Sequence, residues 1–235
     1  MVVRSLDIDK DPFRPRENNE EILGPEVPYL SAIVALMYIA RNTRPNISFF
    51  VNLLARFSSC PTRRHWNRII HVLHYLQGTK DMGLFFPNMS RENLVGFADA
   101  GYLSDSHNAR SHTGYVFTCG GTAISWRSMK QTIMATSSNH SEILSIHEKE
   151  APTVLYEDNA TCIGQLKEVY IKGDRTKHIS PKFFFTHDLQ KSGDINVQQI
   201  RSSENLADLF TKALPTATFK KLLHQLGLRR FKDLQ

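Results

Sequence analysis

Leu94-Val95-Gly96-Phe97-Ala98-Asp99-Ala100-Gly101-Tyr102 reads as a β-strand with one carboxylate set among apolar and small residues. Two further strands follow it, Gly114–Cys119 and Thr122–Arg127. Gly120-Gly121 joins them, a residue pair suited to a two-residue hairpin turn. The rest of the second half alternates between helix and strand. A helix starting near Ser138 carries Glu142, and strand Thr153–Tyr156 leads into Asp158. A short helix over Ala160–Leu166 comes next, then a helix around Pro181–Gln190 and strand Ile195–Ile200. After Ser202-Ser203, the residues Leu206, Leu209, Phe210, Ala213 and Leu214 form one helical stripe with Asp208 outside it. This order implies an α/β fold: a mixed five-stranded sheet, with a three-strand antiparallel meander plus two further strands and flanking helices.

Upstream the period is helical. Tyr29 to Arg41 is apolar nearly all round and is expected to be well buried. Thr43-Arg44-Pro45 breaks the chain before a second helix over roughly Asn46 to Phe57. Thr62 caps a third helix that Gly78 stops. The chain therefore divides into a polar linker at 1–28, a helical connector at 29–82, an α/β domain at 83–215 and a basic amphipathic helix at 216–235.

Four acids, Asp99, Glu142, Asp158 and Asp208, fall one each in four separate elements apolar enough to be buried. A buried carboxylate requires a cationic partner. With no Lys or Arg evident beside them in the pattern, the set calls for hard divalent cations. Two Mg²⁺ or Mn²⁺ ions about 4 Å apart would satisfy it and support in-line displacement at phosphate. Each acid also has a structural alternative. Glu142, three residues after Asn139, fits a capping box, and Asp208 fits the positive first turn of its helix. Asp158-Asn159 fits a turn, and Asp99 a solvated strand end.

Charge is uneven along the 235 residues, whose net value is +6. Residues 1–28 hold four Lys/Arg against seven Asp/Glu, so the remainder is strongly basic and suited to a polyanionic partner. Lys172, Arg175, Lys177, His178 and Lys182 make a basic run near the expected active edge and are candidate phosphate contacts; the alternative is a solvated face. Three cysteines without Cys-x-x-Cys spacing fit reduced thiols better than a disulfide framework or a zinc knuckle. No signal peptide is evident, and the most apolar run, Tyr29 to Ala40, is too short to cross a bilayer. An intracellular address, cytoplasmic or nuclear, is expected, with no membrane partner and no small-molecule cofactor.

The element order with these acids resembles the ribonuclease H fold. The local wording is similar to the end of the Pol polyprotein of copia-type LTR retrotransposons. The similarity lies in Gly96-Phe-Ala-Asp-Ala100, Ser111-x-Thr113-Gly-Tyr115, Ile124-Ser-Trp126 with Lys130-Gln131, and Ser137-Ser138-x-x-x-Glu142. It continues through Glu157-Asp-Asn159, Arg175-Thr-Lys-His-Ile179 and Asn205-Leu-Ala-Asp-x-Phe-Thr-Lys212. Upstream, Leu36-Met-Tyr38, Thr43-Arg-Pro45, His65-Trp66 and Tyr75-Leu-x-Gly-Thr79 look like the segment joining reverse transcriptase to RNase H.

That resemblance implies metal-dependent cleavage of the RNA strand of an RNA–DNA hybrid, with Asp99, Glu142, Asp158 and Asp208 as metal-binding acids. It also implies recognition by hybrid shape and 2′-hydroxyl contacts. The chain has no Asp-Asp pair, so no polymerase activity is expected. Between Ser145 and Tyr156 the crossover is shorter than the family pattern. Two other classes compete with the nuclease: a nucleic-acid-binding relic without turnover, and a helical interaction module at 29–78 with an unstable remainder.

Overall fold

The computed structural model describes residues 13–88, 94–105, 110–131, 154–168 and 180–234. The Glu142 helix, the crossover after it and the basic run from Lys172 to His178 lie outside the described residues. Lys182 is in a described helix, but its side chain lies outside them.

Among the described residues three helices come first: α1 (Tyr29–Asn42), α2 (Ser48–Ala55) and α3 (Arg63–Gln77), with a 3₁₀ turn at Pro45–Ile47 between the first two. Thr62 and His65 close a reciprocal cap at the start of α3. Tyr29, Ile33, Leu36 and Ala40 of α1 pack with Phe49, Val51, Leu54 and Ile69. The expectation that α1 is well buried holds on one side only, because Leu30, Val34 and Tyr38 are 60%, 58% and 70% exposed. These residues, at i, i+4 and i+8, lie along the opposite side of the helix.

Among the described residues seven strands follow: β1 (Met82–Leu84), β2 (Leu94–Asp105), β3 (Arg110–Cys119), β4 (Thr122–Lys130), β5 (Val154–Glu157), β6 (Asn196–Gln199) and β7 (Leu228–Arg230). Interleaved with them are α4 (Ala160–Glu168), α5 (Ser180–Ser192) and α6 (Thr216–Gln225). The main sheet has the order β4-β3-β2-β5-β6. The first two pairings are antiparallel, whereas β5 runs parallel to both β2 and β6. This is the expected meander plus two strands. Gly120 and Gly121 hold φ of 58° and 77°, the positive values that a tight hairpin turn of this hand requires.

One face of the sheet is covered by α4 and α5, where Ala98, Leu155 and Val197 meet Cys162, Ile163, Leu166 and Leu189. The other is covered by C-terminal elements, with Val116 and Ala123 against Leu206, Leu209, Phe210, Phe219 and Leu222. Each fully buried Leu or Phe contributes about 1.5–3 kcal/mol, so both faces hold the sheet in place. The helix expected over 216–235 spans only Thr216–Gln225. Gly227, at φ 86°, turns the chain into β7, which pairs antiparallel with β1.

The segment after Ser202 also differs from expectation. It forms two 3₁₀ turns, Ser202–Glu204 and Leu206–Phe210, in place of one α-helix. The Asn205 side chain accepts the Ala207 amide at 3.1 Å and starts the second turn. Its other end, Nδ2, donates to the Ala98 carbonyl at 2.6 Å and anchors the turn on β2. A continuous helix would pull Asn205 off that strand.

Candidate metal centre

Asp99 is carried by β2 opposite Gly114 of β3 and is 3% exposed. Because strand side chains alternate, Asp99 shares a face with Phe97 and looks toward the Leu206–Phe210 turn. Gly114 lets that turn approach. A Cβ there would lie 2.7 Å from Phe210 Cβ, 2.7 Å from Thr211 Cγ2 and 3.0 Å from the Ala207 carbonyl. Only glycine leaves the room that brings Asp208 beside Asp99.

Asp158 follows the last residue of β5. Asn159 caps α4 by accepting the amides of Thr161 and Cys162 at 3.1 Å each. The fully buried Glu157 accepts the amides of Asp158 and Asn159 at 3.2 and 3.3 Å. The strand end and the helix start are thus both fixed, and Asp158 sits between them. Asn205 Nδ2 also reaches Asp158 Oδ1 at 3.4 Å.

Three of the four expected acids converge. Asp99, Asp158 and Asp208 each offer a carboxylate oxygen, and the three atoms lie within 4.8 Å of one another. Glu142 lies outside the described residues, as do Lys172, Arg175, Lys177 and His178.

The expectation that no basic side chain stands near the acids is corrected by Lys212. Its Nζ is 2.8 Å from Asp208 Oδ1 and 3.3 Å from Asp99 Oδ1. Thr211 Oγ1 donates to Asp99 Oδ2. Lys212 was already in the quoted motif; the signal was its position four residues after Asp208, a spacing that lets Asp and Lys side chains meet. Asn205, Thr211 and Glu157 were likewise present in the motifs without an assigned role.

The electrostatics are those of crowded, desolvated carboxylates. Burial pushes Asp99 above the ordinary aspartate range, against the opposing pull of Lys212 and Thr211. Burial, reinforced by the charge of Asp99, pushes Asp208 up to about 7. Burial alone would lower Lys212, but Asp99 and Asp208 outweigh it and hold its ammonium above the ordinary lysine range. Clustered oxygen donors, two of them buried, fit a hard divalent cation in kind and spacing. Asp99, Asp158 and Asp208 are the residues that would hold it.

No protein-family model matches the chain. It is 33% identical over 222 residues to the retrovirus-related Pol polyprotein from transposon TNT 1-94 of Nicotiana tabacum; the match covers 86% of this chain and 16% of that protein. It is 42% identical over 122 residues to the secreted RxLR effector protein 161 of Plasmopara viticola, covering 52% of this chain and 86% of that protein. Among solved structures it is similar to LC11-RNase H1 in complex with an RNA/DNA hybrid, at 15% identity and a TM-score of 0.38, covering 51% of this chain and 94% of that one. That likeness concerns the fold alone, a five-stranded mixed sheet with flanking helices. The Nicotiana match extends over helices and sheet alike, though the chain spans under a fifth of that polyprotein's length. The chain is a homologue of the retrovirus-related Pol polyproteins of plant transposons, corresponding to one stretch of a much longer protein.

Proposed function

We propose that the chain is the RNase H-like part of a copia-type retrotransposon Pol product and hydrolyses the RNA strand of RNA–DNA hybrids with divalent metal. The observation that carries this reading is the convergence of Asp99, Asp158 and Asp208 from three elements widely separated in sequence. Glu142 is proposed as the fourth acid, and the site is proposed to take two Mg²⁺ or Mn²⁺ ions. Bound ions would supply Lewis acidity for the attacking water and the leaving oxygen.

The chain's own residues hold that site in register. Asp99 and Asp208 present oxygens from a strand and a turn that Asn205 joins together. Asp158 presents the third from a strand end braced by Glu157 and Asn159. No side chain among these needs to form a covalent bond to substrate. Lys172, Arg175, Lys177, His178 and Lys182 are proposed to contact phosphates of the hybrid, with 2′-hydroxyl and shape recognition giving selectivity.

The test is cleavage of an end-labelled RNA–DNA duplex with and without Mg²⁺. Asp99→Asn and Asp158→Asn are expected to lower cleavage by about three orders of magnitude, the scale of losing several kcal/mol of metal-borne stabilisation. Hybrid binding should persist in both variants. Equal cleavage by the variants and the parent would remove the site; binding without any cleavage by the parent would favour a relic that only holds nucleic acid.

A further inference from the structure

We infer that Lys212 is an internal counter-ion of the acid cluster that a divalent cation must displace from between Asp99 and Asp208. The inference deepens the metal-site reading above and rests on it. Three observations support it. The ammonium nitrogen sits 2.8 Å from Asp208 Oδ1 and 3.3 Å from Asp99 Oδ1, bridging two of the three clustered acids. A Mg²⁺ ion binds oxygens at about 2.0–2.1 Å, so an ion shared by Asp99 and Asp208 would claim the space that Nζ holds. The Lys212 side chain is 41% exposed, which gives the ammonium a way out to solvent without moving the backbone.

Asp158 has no such partner among the described residues; its contact is the Asn205 amide at 3.4 Å. The cluster is therefore asymmetric. An ion between Asp99 and Asp208 requires Lys212 to leave, whereas Asp158 stands outside the ion-pair reach of the ammonium. Lys212 is a positioning residue: it keeps the acids folded together before metal arrives and makes the Asp99–Asp208 position the weaker one.

The measurement is Mn²⁺ binding to the full chain by titration calorimetry, paired with thermal melts followed by circular dichroism in EDTA and in Mn²⁺. Lys212→Met removes the charge and keeps the stem. It should bind Mn²⁺ about tenfold or more tighter than the parent, the scale of one partly buried ion pair. Its melting temperature should fall in EDTA and recover in Mn²⁺. A Lys212→Met chain that folds only when Mn²⁺ is present supports the inference, because the ion then replaces the ammonium. A folded variant with unchanged or weaker Mn²⁺ affinity overturns it, as does a variant that Mn²⁺ cannot restore.

Lys212→Arg keeps the charge and should bind Mn²⁺ no tighter than the parent; tighter binding there would also overturn the competition. Tighter Mn²⁺ binding by Lys212→Met with no hybrid cleavage by any chain would leave this inference standing and end the nuclease reading. Cleavage by the parent with equal Mn²⁺ affinities would do the reverse.

Discussion

At Asp208 burial and the neighbouring Asp99 charge act in the same direction, and together they raise its carboxyl to about 7. The sign of the consequence is fixed by linkage. The folded chain holds this proton more tightly than the unfolded chain, so the stability it contributes is full below the unfolded value of about 4. That contribution is lost progressively as pH rises to about 7. In EDTA the parent's melting temperature should therefore decline across that window on account of this group. Asp208→Asn should be more stable than the parent at pH 8 and gain little at pH 5. Melts across this range check it; parallel pH profiles for the two chains would count against the desolvated carboxylate. Metal reverses the balance, since a bound cation favours the ionised form, and Mg²⁺ should protect the parent more at pH 8 than at pH 6.

At the scale of elements, Gly114 and the Leu206–Phe210 turn form one unit. Gly114→Ala drives a Cβ against Phe210 Cβ, Thr211 Cγ2 and a backbone carbonyl, none of which is the free end of a flexible side chain. Such overpacking costs about 1–3 kcal/mol, roughly 2–12 °C in melting temperature. Metal affinity should fall as well, because the turn that moves carries Asp208. Gly164→Ala in α4 is the contrast: its Cβ meets nothing within 4 Å, so helix propensity should raise stability by about 0.5–1 kcal/mol. Equal effects from the two substitutions would deny Gly114 its role. The same pair of elements marks how far the sequence could be read. The meander was legible because Gly120-Gly121 names its turn and the strand pattern is local. The three acids were legible because each stands in a short, recognisable motif. The turn read as an α-helix because its Leu and Phe spacing fits one, while the feature that prevents it, an Asn205 bond to Ala98, spans most of the sheet domain's sequence. The Asp208–Lys212 spacing was a local signal, but the second half of the bridge, to Asp99, was not, because nothing in a linear text brings Lys212 and Asp99 together. The pairing of β1 with β7 was hidden for the same reason.

Across the whole molecule, the helices and the sheet are tied by a relay with defined donors. Arg56 can only donate, so His112 Nδ1, 2.5 Å from its Nη2, must accept and the ring is neutral there. His112 Nε2 then donates to Ser128 Oγ at 2.6 Å, and Ser128 donates to the Phe210 carbonyl at 2.6 Å, in the turn that bears Asp208. A second tie runs from Trp126 Nε1 in β4 to the Ala40 carbonyl in α1, at 2.7 Å. His112 and Ser128 are both buried, so these bonds form away from water, where a lost partner costs about 1–3 kcal/mol. Ser128→Ala removes the acceptor of the imidazole N–H and the donor to Phe210 at once. We expect it to lower stability by that amount and to shift the helical and sheet parts together. Trp66→Phe leaves Trp126 as the only indole, a reporter on the sheet, while circular dichroism at helix wavelengths follows all the helices, those of α1–α3 together with α4–α6. In that background the fluorescence and dichroism melts should coincide, and Ser128→Ala should move both midpoints equally. A fluorescence transition that runs ahead while the share of the helical signal due to α1–α3 persists would mean that residues 29–78 fold as a module of their own, and the relay through His112 would then have no part in holding the acid cluster.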